Sequence, residues 1–344
     1  MSAPAPTALF DQDAVRHAVD TTLADYMSDQ IRSAHQRGLP QQSLQALQDF
    51  LNSGGKRIRP VLCVAGWQAA GGTGAPDPVL KAAASLEMFH ASMLIHDDII
   101  DASDTRRGHP TVHRQTGTDA AILIGDLALI LADDLLHSAG FTPDQLTSAL
   151  RVANRLRADT VYGQYLDVLH AGQPPAELEP ALAITHYKTA KYTIEGPLLL
   201  GAALAGADDG LRDTLSAYGI PVGEAFQLRD DLLGVFGDPN TTGKPALDDL
   251  REGKATVLMA LALQNADPPQ HSILRRHVGD PHLTHEAAAQ ICTILTDTGA
   301  RTTVENMIAQ RRQSALTLLN TAGLPTHITA VLRSQAFSAT ARTT

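Results

Sequence analysis

Residues 79–100 read VLKAAASLEMFHASMLIHDDII, and the spacing of their apolar side chains decides the fold class. Leu80, Ala83, Ala84, Leu86, Met88, Phe89, Met93, Leu94 and Ile95 recur at helical intervals and leave little of the surface polar. A helix that is apolar around most of its circumference has to be buried around most of it. The stretches 119–138 (DAAILIGDLALILADDLLHS) and 222–236 (VGEAFQLRDDLLGVF) have the same character. Further amphipathic helices are predicted near 11–37, 57–70, 143–170, 180–205, 249–264, 284–298, 301–320 and 325–340.

Gly, Pro, Asn and Asp punctuate the chain at 71–78 (GGTGAPDP), 106–111 (RRGHPT), 171–177 (AGQPPAE), 237–245 (GDPNTTGKP) and 265–270 (NADPPQ). Strict apolar/polar alternation, the mark of strands, is not found. None of the loops is long enough to join domains, and no repeat period is visible. The expectation is one all-α domain over 1–344, with ten or more helices around a central buried one. Its core should span about 20–335, with residues 1–10 disordered.

Composition narrows the function. The 344 residues are 44% hydrophobic and 19% charged, so a large core can be buried. A formal charge of −10 argues against a nucleic-acid partner. Cys63 and Cys292 lie far apart and outside metal-binding spacings, which argues against disulfides and structural zinc. No apolar run reaches the ~18 residues that span a bilayer, and the N-terminus lacks a signal-peptide pattern. These readings predict a soluble, cytoplasmic protein without stable membrane insertion.

Asp-Asp occurs at 97/98, 133/134, 208/209, 230/231 and 248/249, so a pair alone means little. In HDDIID, Asp97 and Asp101 stand four apart and share a helix face. Set at the end of an apolar helix, such carboxylates fit a hard divalent cation that also touches a phosphate. Asp230 and Asp231 likewise interrupt an apolar helix, where buried acids demand a partner. Asp248 and Asp249 read as ordinary acids at a helix start, and the pairs at 133 and 208 as surface charge.

Cations converge elsewhere. GGKRIRP (54–60) places Lys56, Arg57 and Arg59 behind two glycines as a helix begins, an arrangement suited to an anion. Arg106 and Arg107 follow the first acidic motif closely, and arginines are good phosphate forks. GDPNTTGKP departs from a nucleotide-binding loop in spacing and in Pro245. Acids, cations and apolar helices together suggest a substrate with a diphosphate head and a hydrocarbon tail.

The ordered set GGKRIRP (54–60), HDDIID…DTRRGHPTVH (96–113), GQYLD (163–167), YKTAKYT (187–193) and FQLRDD…GDPNTTGKP…DLREGK (226–254) resembles the trans-isoprenyl diphosphate synthases, or polyprenyl synthetases. That resemblance implies an all-α fold, a homodimer and a head-to-tail condensation of isopentenyl diphosphate with allylic diphosphates. It also implies three Mg²⁺: two held by Asp97 and Asp101 with Asp98 in support, and one held by Asp230 with Asp231. Arg106, Lys188, Thr189, Gln227, Lys244 and Lys254 would hold the allylic diphosphate. Lys56, Arg59, His90 and Arg107 would hold isopentenyl diphosphate. His90, seven residues before Asp97, falls on the same face two turns back.

One departure stands out: the second motif is DDLLG, with Gly234 where a third acid is usual. Product length should be set by Phe89, Ser92 and Met93. Small Ser92 lets the tail pass, and Phe89 stops it one turn deeper. Geranylgeranyl diphosphate (C20) is the expected product, with farnesyl (C15) and C25 as neighbours. Competing readings are a class I terpene cyclase, which needs no isopentenyl diphosphate pocket, and a non-catalytic synthase subunit, which should have lost its acidic motifs.

Overall fold

The computed structural model describes residues 10–172, 177–237 and 248–340. The N-terminal residues expected to be disordered and the GDPNTTGKP loop with Lys244 lie outside this range, save for Phe10 and Gly237. The elements are α1 (Gln12–Gln36), α2 (Gln42–Asn52), α3 (Ile58–Ala69), α4 (Asp77–Ile100), β1 (Thr105–Arg106), β2 (His109–Pro110), α5 (Val112–Thr116) and α6 (Thr118–His137). Then come α7 (Pro143–His170), α8 (Leu178–Ile184), a π-helical segment (Thr185–Glu195), α9 (Gly196–Leu204) and α10 (Asp209–Phe236). The chain ends with α11 (Asp248–Glu252), α12 (Val257–Asn265), α13 (Pro268–His277), α14 (His285–Asp297), α15 (Ala300–Thr321) and α16 (Thr326–Thr340). The all-α expectation holds. The two strands form one antiparallel pair that begins at Thr105 and overlaps the predicted 106–111 loop, with Arg106 opposite His109.

Contacts group into two compact units. One comprises residues up to 152 with 197–212 and 324–331; the other comprises 153–196, 213–323 and 332 onward. In the first, α4 packs on α6, α3 and α1. Val79, Ala82, Ala83, Ala84, Met88 and Ala91 of α4 are fully buried, as its pattern requires. In the second, every residue of α12 from Val257 to Leu263 is buried, in a core shared with Leu228 and Leu232 of α10 and Ile291 and Leu295 of α14.

Helices α2 and α5 lie where none was predicted, α10 begins at Asp209 rather than near 222, and three further stretches differ from the sequence reading for local reasons. NADPPQ opens α13 instead of forming a plain loop. Asp267 caps it reciprocally with Gln270, and the prolines sit where no N–H is needed. The predicted helix 249–264 is broken after α11, and Thr256 caps α12 by accepting from the Met259 N–H. Residues 185–195 wind as a π-helix, a form that recurs at functional sites.

Among the described residues, Tyr218 is the largest fully buried side chain, and its hydroxyl donates to the Leu332 carbonyl at 2.7 Å. Tyr218→Phe removes this long-range hydrogen bond, while the Leu332 carbonyl keeps its place in the ladder of α16. It should cost about 1 kcal/mol in denaturant unfolding, with the far-UV circular dichroism unchanged.

Candidate active site

The first unit carries the first acidic motif at the C-terminal end of α4. Asp97 lies in the last turn of α4, and Asp101 is the residue that caps it, its N–H donating to the Asp97 carbonyl at 2.8 Å. Both are half-buried on one face, as their spacing requires. Asp98 is different. Its side chain is 1% exposed, and the Arg106 guanidinium grips it at 2.6 and 2.7 Å while lying 3.6 Å from Asp97. Burial pushes the Asp98 carboxyl up, opposed by the Arg106 fork. The other carboxylate oxygen of Asp98 is buried without a hydrogen-bond partner.

Arg106 reaches back to α4 because the β1–β2 pair folds the chain over. The next residue, Arg107, sits at φ 54 in the left-handed region, and its side chain goes elsewhere. It donates to the Gly54 carbonyl and to Ser53 Oγ, and it lies 5.8 Å over the Phe50 ring. Two consecutive arginines thus serve two places: one the acids, the other the GGKRIRP turn.

His90 is half-buried on α4. Its imidazole is held well below the ordinary histidine range by burial and by the guanidinium charges of Arg59, Arg107, Arg106 and Arg57. A neutral imidazole amid four guanidiniums marks a place where an anion would be welcome. Lys56 is exposed and Arg59 is half-buried at the start of α3. Arg57, the middle cation of the motif, is spent internally: it bonds Asp20 at 2.8 Å, Glu87 at 3.1 Å and the Leu51 carbonyl at 2.8 Å. It does not join the exposed cations. Below His90, Phe89 and Ser92 are buried and Met93 is half-buried.

The second unit carries the remaining predicted residues that are described. Lys188 and Thr189 lie in the π-helical segment. Lys188 Nζ is 2.6 Å from Asp167, the acid of GQYLD, and Thr189 Oγ1 donates to Gln227 at 2.7 Å. Gln227 in turn donates to Asp231 at 2.7 Å, so π-helix and acidic motif form one chain of hydrogen bonds. Asp231 is 6% exposed, and burial pushes its carboxyl up to about 8; Asp249 and Asp230 reinforce this, while Gln227 and Lys254 oppose it. Asp230 is half-buried. Lys254 lies 2.8 Å from Glu252 and 3.4 Å from Asp249.

Two residues were missed by reading the sequence. Asp167 lies in a quoted motif, and its place one helix away from Lys188 was the available signal. Asp249 was read as a helix-start acid, yet its charge acts on Asp231, and a Cβ added to Gly234 would overlap its carboxylate. The space left by the missing third acid is therefore filled from α11. Among the described residues, no three His, Cys, Asp or Glu side chains gather tightly enough to cage a metal ion.

Residues 40–295 match the polyprenyl synthetase family model. The chain belongs to that family. It is 34% identical over 257 residues to the geranylfarnesyl diphosphate synthase of Aeropyrum pernix, covering 73% of this chain and 78% of the relative. The geranylgeranyl diphosphate synthase of Mycobacterium tuberculosis H37Rv is 34% identical over 271 residues, covering 78% and 75% respectively. A crystal structure of the Corynebacterium glutamicum geranylgeranyl pyrophosphate synthase, complexed with isoprenyl diphosphate and magnesium, superposes with a TM-score of 0.91. That protein is 41% identical, with 96% of this chain and 99% of the other covered. No described helix of this polyprenyl synthetase is long and apolar enough to cross a membrane.

Asp231 yields a pH prediction. Its folded-state pKa is raised, so its contribution favours folding at low pH and is lost as pH rises through about 8. In metal-free protein, Asp231→Asn should therefore raise the melting temperature more at about pH 8 than at about pH 5. Equal shifts at both values would contradict the buried, strained carboxyl.

Proposed function

We propose that this polyprenyl synthetase condenses isopentenyl diphosphate head-to-tail with allylic diphosphates, releasing diphosphate and giving geranylgeranyl diphosphate (C20). The observation that carries the reading is on α4. One helix ends in the acids Asp97, Asp98 and Asp101, presents neutral His90 among guanidiniums two turns earlier, and buries Phe89 and Ser92 beside it. Acid, anion pocket and apolar face follow one another along a single rod, as a head-and-tail substrate demands.

The donor set fits magnesium. Its oxygens are hard, and Mg²⁺ takes one or two carboxylates per ion and completes its shell with water and phosphate, so no preformed cage is needed. Asp97 and Asp101 would hold two ions, and Asp230 with Asp231 a third. Bound magnesium would make the allylic diphosphate a leaving group. Asp98 holds Arg106 beside the acids, so that this guanidinium meets the diphosphate charge already aligned. Lys188, Thr189, Gln227, Lys244 and Lys254 would complete the grip on the allylic diphosphate. Lys56, Arg59, His90 and Arg107 would orient isopentenyl diphosphate so that its double bond meets the allylic carbon. A low His90 pKa makes its imidazole a neutral hydrogen-bond donor at pH 7.

We assign the whole chain to a single catalytic domain working as a homodimer in the cytoplasm. Support for the dimer is an exposed apolar row on α6, where Leu123 is 67% and Ile130 63% exposed, and another on α7 with Val161, Tyr162 and Tyr165. Ile130→Asp with Leu123→Asp should shift the mass measured by light scattering from dimer to monomer.

Incubation with Mg²⁺, isopentenyl diphosphate and each allylic primer tests the activity, and product chromatography tests the length. Phe89→Ala should lengthen the product and Ser92→Phe should shorten it. Asp97→Ala should lower turnover by roughly two orders of magnitude or more. Unchanged products from both length variants would remove the stop assigned to Phe89.

A further inference from the structure

Arg57 is the cation of GGKRIRP whose side chain is engaged inside the protein, although its charge still acts on His90. Its side chain is 7% exposed, and its backbone is left-handed at φ 48, immediately before α3. Nε donates to Asp20 of α1, Nη1 to Glu87 of α4 at 3.1 Å and to the Gly54 carbonyl at 3.4 Å, and Nη2 to the Leu51 carbonyl at the end of α2. Glu87 is 3% exposed, and one of its two oxygens is buried without a partner. A buried carboxylate so poorly provided for is held by Arg57 or not at all.

Arg57 also underlies the GGKRIRP turn. A Cβ added to Gly55 would stand 2.9 Å from Arg57 Nη1 and 3.3 Å from Arg107 Nη2, so this turn lies flat on two guanidiniums. Gly54, whose carbonyl Arg57 engages, also receives Arg107. Glu87 lies one turn before His90 on α4, and Lys56 and Arg59 flank Arg57 in sequence.

We propose that the Arg57–Glu87 pair is a positioning device for the isopentenyl diphosphate subsite. It fixes the start of α3 against α4 and so sets the separation of Lys56 and Arg59 from His90. The side chains of Arg57 and Arg107 meet at the Gly54–Gly55 turn, and each residue has a left-handed backbone, which persists only where the surroundings over-determine it. A lysine could not replace Arg57, because one ammonium cannot reach four acceptors on four segments. The inference rests on the phosphate reading of Lys56, Arg59 and His90, and its test separates the two.

The experiment is steady-state kinetics of the full chain with Mg²⁺, varying isopentenyl diphosphate and the allylic diphosphate separately. Glu87→Gln and Arg57→Lys should each raise the KM for isopentenyl diphosphate about tenfold, with kcat and the allylic KM within about threefold. The double variant should be no worse than either single one, because both break the same pair. Asp20→Asn, at the half-exposed end of the network, should give a smaller rise and decides the matter if the buried variants do not fold. A lower melting temperature and kcat with an unchanged KM would reduce the pair to scaffolding and overturn the inference. Lys56→Ala is the control. If it raises the KM while the Arg57 and Glu87 variants do not, positioning alone has failed; if it too leaves the KM unchanged, the subsite reading has failed.

Discussion

A carboxylate 1% exposed at the end of an apolar helix is tolerable only if a cation is brought to it, and for Asp98 that cation is Arg106. The rest of this end of the molecule follows from the need. Arg106 stands eight residues beyond Asp98, so the chain must turn back, and the β1–β2 pair does this. The Thr111 hydroxyl and N–H close the turn by donating to the Ser103 and Asp104 carbonyls at 2.8 and 3.0 Å. Arg107 is then turned away by its left-handed backbone and finds the Gly54 carbonyl. One buried acid thus dictates a hairpin, and the hairpin places two arginines.

The arrangement also explains why the acids differ in role. Asp97 and Asp101 are half-buried and keep access to solvent, whereas Asp98 is committed to Arg106. A group spent on an internal ion pair contributes charge and geometry, not a coordination site. The same division recurs among the cations of GGKRIRP, where Arg57 is internal while Lys56 and Arg59 are not. Alternate residues of a charged motif serve structure and chemistry because a helix or a helix start turns adjacent side chains in different directions.

Much of this was legible in the sequence. The apolar circumference of 79–100 gave the burial of α4, and the four-residue spacing of Asp97 and Asp101 gave their common face, because both depend only on helical period. What was not legible depends on long-range pairing. Nothing local distinguishes Arg57 from Arg59, since the difference lies in Asp20 and Glu87, 37 and 30 residues away. The NADPPQ stretch misled because Asp-Pro-Pro serves both turns and helix starts, and only Gln270 completing the capping box decides. The π-helical winding of 185–195 has no propensity signature.

Gly234 shows how a motif can depart from its family pattern without losing its electrostatics. A third acid at this position would stand one turn after Asp230, and its Cβ would overlap the Asp249 carboxylate as that side chain now stands, so Asp249 would have to turn away to admit it. Asp249 is itself held within 3.4 Å of Lys254, and its charge acts on Asp231. The negative potential around the buried Asp231 is therefore built from two helices, α10 and α11, rather than from one. An acid brought from a separate segment is placed by packing, whereas an acid on α10 would be fixed by helical period. Reading DDLLG as a defect treats the motif as a string of letters. Treated as a field at Asp231, it has kept its source of charge and changed only the segment that supplies it.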